Sequence, residues 1–416
     1  MAYGQSCIGR SFSLYAQCTT AIVIGYDPSA VCRQLSHSRH QPSAISQKPS
    51  DMPLIWCSIS GHGYGHAAQV VPVLNALSCL VPELKVILRT SVPGRFFQDR
   101  LACAWEISPS EQDIGCVQTD GPLVIDVDAT WAEHRRFHDN WESKIAEEVH
   151  SIKAHAPDLM LSDISYLAIQ AGVTANLPTV GLCTLSWDQV LAPWLGHDRA
   201  AAAWRVATIE HITKAYGHAE LMIRPAPSIP LPAFRKVVDV GPVVDPQPPQ
   251  RQRLRDLLQV KSDERIALVA FGGIVQKDLP FEHLDRIAGY RFLIDGSVPT
   301  GFTRLHSTGS LSLSFRTLLA SCDLIVTKPG YSTIVEAVAT GTPVVYVRRY
   351  NFADEQSLVE YLLRYGRGAE LSLADFAAGN WEPSLDAASQ APPPPEPAPA
   401  PAGGPAAATL LAQYLR

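Results

Sequence analysis

The chain has 416 residues, a formal net charge of −6 and charges of both signs spread along its length. It is long enough for two domains of ordinary size, each with its own core, and it lacks the basic footprint of a nucleic-acid-binding protein. Nine cysteines are scattered with no C-x-x-C pair and no His/Cys cluster at metal spacing, and no apolar run nears the ~20 residues that cross a bilayer. A soluble protein of a reducing, cytoplasmic compartment is predicted.

Residues 1–51 are rich in Ser, Gln, Arg and His and carry no sustained periodicity, which predicts a disordered leader. Two readings stay open for it: an organelle-targeting peptide, or a start placed too early, with translation beginning at Met52. From there apolar strands alternate with helical text. Strands are expected at 54–60, 85–89, 123–126, 159–162, 179–182 and 221–223, with a helix over 67–80 and one long helix over 129–154. Four prolines in 241–250 mark an interdomain linker. A second series follows, with strands at 266–270, 290–295, 324–326 and 343–346 and helices over 281–287, 315–321, 332–340 and 353–365. The fold class is therefore α/β, with two Rossmann-like doubly wound domains over 52–240 and 251–390. A proline-rich spacer over 391–405 leads to a helix over 406–416, whose Leu411 and Leu415 share a face that should dock elsewhere.

The most informative stretch runs from Leu324 to Glu336 and reads as strand, tight turn, helix. Pro329-Gly330 breaks the strand, and Ser332 or Thr333 can cap the helix that follows. Unpaired N–H groups at such a helix start form an anion site, and in an open α/β sheet that point lies at the carboxyl edge, where ligands bind. Glu336 sits three residues beyond Thr333, so it can accept hydrogen bonds from ribose hydroxyls while a diphosphate rests on the turn. The same Thr333-x-x-Glu336 spacing is also a capping box. Phe271-Gly272-Gly273, after another strand, offers a second backbone cradle for phosphate.

The first strand ends in Gly61-His62-Gly63-Tyr64-Gly65-His66. Its alternate glycines allow a tight bend, and it differs from the dinucleotide fingerprint because the late glycine of G-x-G-x-x-G is missing. Its two histidines are candidate general bases, each equally able to order the loop. Asp163 follows a strand and can orient a histidine or cap the next helix. Trp187-Asp188 follows another and suits a sugar face with its hydroxyls, or a core Trp with a capping Asp. Asp354, Glu355 and Gln356 place a polar cluster at the edge of the second domain. Asp126-Val127-Asp128 has the D-x-D form of a metal-holding motif but reads as a strand end and helix cap.

Gly65-His66 after the first strand, Phe271-Gly272-Gly273, Lys328-Pro329-Gly330-Tyr331-Ser332-Thr333 with Glu336, and Asp354 to Gln356 together resemble the GT-B glycosyltransferases, whose two Rossmann-like domains face each other across a cleft. The second half looks most like glycosyltransferase family 28, which includes the lipid II-forming N-acetylglucosaminyltransferase. The whole span from Met52 is closer to a set that shares its G-H-G-[FY]-G-H loop and T-K-P-G-Y segment with the N-terminal region of plant-type L-arabinokinases. The resemblance implies transfer of a sugar, with inversion and without a metal, from a nucleotide diphosphate sugar of the UDP type to an acceptor hydroxyl. The nucleotide sugar is then a co-substrate and no separate cofactor is implied.

It further implies that Glu336 contacts the ribose, and that Gly272, Gly273, Ser332 and Thr333 line the diphosphate, with Lys328 and Gly330 in the same donor segment. Asp354 and Gln356 would reach the donor sugar. His66 matches the base, with His62 as a competitor and Asp163 a loose match to the supporting acid; Gly63, Gly65, Trp187 and Asp188 fall on the acceptor side. In this fold the last helix crosses back to the first domain. Two rivals share the architecture: a nucleotide-sugar 2-epimerase and a non-catalytic nucleotide-sugar-binding protein. The expected partners are the donor and a hydroxyl acceptor, with no nucleic acid and no transmembrane segment; peripheral membrane contact is left open.

Overall fold

The runs LIWCS, LMLS, TVGL and LIVT have no polar alternation, as strands must when helices cover both faces of a parallel sheet, and each is buried along its whole length. The computed structural model describes residues 52–119, 121–196, 199–274, 276 and 278–415; the leader expected over 1–51 lies outside the described residues. In the first half the strands are β1 (Leu54–Ser58), β2 (Lys85–Thr90), β3 (Ala104–Pro109), β4 (Gln118–Thr119), β5 (Val124–Ile125), β6 (Leu159–Ser162), β7 (Thr179–Leu182), β8 (Leu221–Pro225) and β9 (Val237–Val240). In the second they are β10 (Arg265–Val269), β11 (Tyr290–Ile294), β12 (Leu305–Ser307), β13 (Leu324–Thr327), β14 (Val344–Tyr346) and β15 (Gly368–Glu370).

Two parallel sheets result, in the orders β3-β2-β1-β6-β7-β8-β9 and β12-β11-β10-β13-β14-β15. The strand order reverses beside β1 in the first sheet, where Ile55 pairs with Leu159 of β6, and beside β10 in the second, where Ala267 pairs with Leu324 of β13. At such a switch point the helices leaving neighbouring strands go to opposite faces and open a crevice at the carboxyl ends. The histidine loop follows β1 and Asp163 follows β6; Gly272-Gly273 follows β10 and Lys328 to Gly330 follows β13.

Two expected elements take another form. The segment expected as a strand over 123–126 does not join the main sheet: β5 pairs antiparallel with β4 in a two-stranded ribbon. The long helix expected over 129–154 is two, Val127–His138 and Trp141–His155, separated at Asp139-Asn140. Phe137 and Trp141 are both buried at helical spacing across the break, so the apolar period runs on while the backbone turns. Strands β3, β9, β12 and β15 go beyond the expected set. They are sheet edges with mixed or exposed burial, so they lack a continuous apolar signature.

The linker does more than connect. The Val243 N–H donates to the Tyr331 hydroxyl at 2.9 Å, and that hydroxyl donates to the Ala226 carbonyl at 3.1 Å, which ties the start of the Tyr331–Thr340 helix to the first domain. The helix Gly403–Leu411 packs Ala407, Ala408 and Leu411 into the core beneath the Gly65–Leu80 helix of the first domain. Chain crossing there requires glycine at 403, because a Cβ would stand 2.0 Å from the Gly241 carbonyl oxygen.

Candidate functional site

His66 is the second residue of the Gly65–Leu80 helix, and Asp163 is the first beyond β6. The helix after β6 is capped by Ser165, whose hydroxyl accepts from the Ala168 N–H at 3.1 Å, so Asp163 is released from capping. Its carboxylate is fully buried and stands 2.9–3.0 Å from His66 Nδ1, with the Ser60 N–H at 3.3 Å from one oxygen. Between cap and carboxylate, Ile164 takes a left-handed φ of +59°, an outlying conformation for a β-branched residue, and the Tyr216 hydroxyl donates to its carbonyl at 2.5 Å. Burial works against a charged imidazole at His66, but the Asp163 carboxylate outweighs it and lifts the group well above the usual histidine range.

His66, Asp163 and Cys183 offer donor atoms within 4.8 Å of one another, a set that metal ions use. The carboxylate stands at hydrogen-bond distance from the ring, and burial pushes the thiol up to about 11. His62 differs from His66. Its side chain is 40% exposed, and its Nε2 lies 3.4 Å from the Asp113 carbonyl oxygen and 3.9 Å from the carboxylate.

The two glycine loops meet face to face. Gly63, Gly272 and Gly273 have φ of +79°, +72° and +80°, and the Tyr64 N–H donates to the Gly272 carbonyl at 3.0 Å. A Cβ at Gly273 would stand 2.3 Å from Tyr64 Cδ2, and one at Gly63 2.8 Å from the Gly272 oxygen, so both conformation and space demand glycine. Beside them the Ser332 hydroxyl donates to the Gly65 carbonyl at 2.8 Å.

The helix after β13 starts at Tyr331 with Gly330 as its N-cap and no side-chain cap bond, so Thr333 lies inside the helix and the capping box does not form. Glu336 is thereby free to point elsewhere. It lines a cavity of about 320 Å³ between the domains, together with Gly65, Gly272, Gly273, Ser332 and Thr333. Its Oε1 is buried without a hydrogen-bond partner, and burial pushes the carboxyl up to about 7 against the pull of Arg316 and Arg100. Among the charged lining residues that the sequence did not mark are Arg100, between β2 and β3, Asp245 from the linker, and Arg316, whose Nη1 lies 2.7 Å from Asp245. No motif marks them, since each comes from a different segment.

Lys328 and Asp354 are not in the walls of that cavity; their charges act on each other, and His66 acts on Asp354. Asp354 is buried with Oδ1 unpartnered, and burial raises its carboxyl to about 6, opposed by Arg349, Lys328 and His66. Burial, and then Arg349, lower the Lys328 ammonium to about 8. Gln356 does not join them: its exposed side chain accepts from Arg348 at 3.0 Å and donates to Glu360 at 2.7 Å. Its neighbour Glu355 is the buried one, holding Arg349 and the Arg349 and Tyr350 N–H groups. Trp187 is buried and donates to Asp113 at 3.0 Å, while Asp188 keeps Oδ1 unpartnered. In the D-x-D segment Asp126 caps the helix Val127–His138, and exposed Asp128 pairs with Arg205 at 3.1 Å.

No family model matches the chain. It is 29% identical over 344 residues to the L-arabinokinase of Arabidopsis thaliana, covering 79% of this chain and 31% of that protein, so the match spans about a third of the relative's length. Among solved structures, the calicheamicin glycosyltransferase CalG4 aligns with a TM-score of 0.58 at 15% identity over 88% of this chain and 98% of its own. The glycotransferase of kitacinnamycin aligns at 0.57 and 16% over 88% and 100%, and Medicago truncatula UGT71G1 complexed with UDP-glucose at 0.52 and 13% over 88% and 95%. The chain has the two-domain Rossmann-like fold of the GT-B glycosyltransferases. No described helix is long and apolar enough to cross a membrane.

Proposed function

We propose that this protein is a glycosyltransferase that moves a sugar from a nucleotide diphosphate sugar, of the UDP type, to an acceptor hydroxyl with inversion. The observation that carries the reading is the contact of 2.9–3.0 Å between Nδ1 of half-buried His66 and the buried Asp163, at the switch point of the first sheet and facing the donor-side loops. A carboxylate on Nδ1 fixes the ring and its tautomer and leaves the other nitrogen to take a proton. In the reaction His66 accepts the proton of the acceptor hydroxyl, and the oxygen attacks the anomeric carbon from the face opposite the diphosphate. The bond from that carbon to the phosphate oxygen breaks, and its electron pair leaves on the diphosphate. Ribose hydroxyls donate to Glu336. The Gly272-Gly273 loop and the helix start at Tyr331 to Thr333 stabilise the developing charge, with no metal required.

The fold similarity to a UDP-glucose complex supports the donor class. A thermal-shift screen over UDP, GDP, TDP and their sugars identifies the nucleotide, because a ligand that binds only the folded state raises the melting temperature. Turnover with that donor and a panel of hydroxyl acceptors then tests the reaction, with a chelator expected to leave the rate unchanged. Epimer or free diphosphate formed from donor alone would favour a 2-epimerase, binding without turnover a sensor. A product of retained configuration would refute the single displacement.

A further inference from the structure

The cavity that holds Glu336 is walled on its far side by the first domain, and that wall carries two arginines, exposed Arg95 and the more buried Arg100. Arg100 lines the cavity and is held there from both ends. Its carbonyl accepts from Asn75 Nδ2 at 2.8 Å, the Asn75 Oδ1 accepts from the Ala102 N–H at 2.8 Å, and its guanidinium lies 4.3 Å from the Phe96 ring centre. No carboxylate forms an ion pair with it among the described residues, whereas Arg316 across the cavity is matched by Asp245 at 2.7 Å. Of the other acids of the lining, Glu336 attracts Arg100 without forming an ion pair, its carboxyl pushed up to about 7 by burial, and Asp295 already accepts from Thr308 at 3.2 Å. Opposite Arg100 stand the positive-φ glycines 272 and 273 and a helix start whose N-cap has no side-chain bond, groups suited to an anion, with the unpartnered buried Oε1 of Glu336 beside them.

We propose that Arg100 is a phosphate-contact residue, which closes the diphosphate site from the opposite domain. This rests on the nucleotide-sugar reading above and adds a residue from the acceptor-side half of the molecule to it. A guanidinium held over an aromatic ring has fewer orientations open to it, so its fork of N–H donors reaches phosphate oxygens with less further ordering. Binding of the nucleotide then couples the two domains, since the anion is held by the second domain's backbone and the first domain's side chain at once.

The test measures binding of UDP, GDP and TDP, and of the nucleoside of whichever diphosphate binds, to the full chain and to Arg100→Ala and Arg100→Lys. The alanine variant is expected to lose about 10- to 100-fold in affinity for the diphosphate and less than about twofold for the nucleoside, with lysine recovering part of the loss. Melting temperatures of the unliganded variants near wild type show that the loss is not unfolding; should alanine melt early, the lysine variant's ratio of diphosphate to nucleoside affinity decides alone. Unchanged diphosphate affinity in the variants, or an equal loss for nucleoside and diphosphate, overturns the role of Arg100 and leaves the donor site standing. Wild-type protein that binds none of the diphosphates overturns the donor site and this inference with it.

Discussion

Replacing Asp163 by Asn keeps the shape of the side chain and removes the charge that faces His66. In the wild type the carboxylate is fully buried and 2.9–3.0 Å from Nδ1, and it lifts the imidazole well above its usual range in spite of burial. A general base acts when neutral, so wild-type activity should rise with pH along a limb that lies above the ordinary histidine value of 6.5. In the Asn variant burial still disfavours the imidazolium while the opposing charge is gone, so the limb should move to lower pH. The plateau rate should fall by roughly 10²- to 10⁴-fold, because an amide can stabilise the wrong tautomer and cannot offset the imidazolium formed in the transition state. The stability sign follows from the same shift: the contribution of a raised histidine is fully present below the unfolded value near 6.5 and is lost as the pH rises through the higher folded value. Nucleotide diphosphate release measured across pH for both proteins, with melting curves at pH 6 and pH 9 as readouts of stability, checks each part. A variant whose rate falls less than about threefold, or whose limb stays where the wild type has it, would refute the dyad as the proton-accepting unit.

Three further outcomes follow from packing and charge. Glu336→Gln removes a carboxyl whose value rises from 4.5 to about 7 on folding, so the stability of its neutral form is present below pH 4.5 and lost as the pH passes 7. The variant should therefore match wild type at pH 4.5 and exceed it by up to roughly 3 kcal/mol at pH 8 in urea unfolding, while binding nucleotide more weakly; equal stability at both pH values would count against a strained carboxyl. Gly273→Ala should cost about 1–2 kcal/mol for the left-handed backbone alone, and more because its Cβ would meet Tyr64 at 2.3 Å; an unchanged urea midpoint would show that the two loops do not pack as described. Leu411→Ala, at a fully buried position between the last helix and the first domain's core, should cost about 2–5 kcal/mol, and a loss under about 0.5 kcal/mol would mean the helix is not docked there.

Much of the architecture could be read from residue order. Continuous apolar runs such as LMLS and LIVT announce parallel strands covered on both faces, and turn glycines with polar residues right after them announce a ligand edge. The edge strands β3, β9, β12 and β15 could not be read this way, because a strand with one neighbour and a wet face has no such run. The helix break at Asp139-Asn140 was hidden by an unbroken period from Phe137 to Trp141.

For the site, the chain itself determined which chemistries were on offer: a histidine after one glycine loop, a glycine pair and helix start after another, and acids at matching edges. What those residues do was decided only by folding. Asp163 and Glu336 each had a capping role open to them in the sequence. Ser165 takes the first cap and Gly330 starts the second helix early, which frees one carboxylate for His66 and leaves the other facing the cavity. Arg100, Asp245 and Arg316 had no signature at all. Local spacing records which neighbours a residue has along the chain, whereas a cavity wall is assembled from segments that meet only when two domains and their linker close on each other.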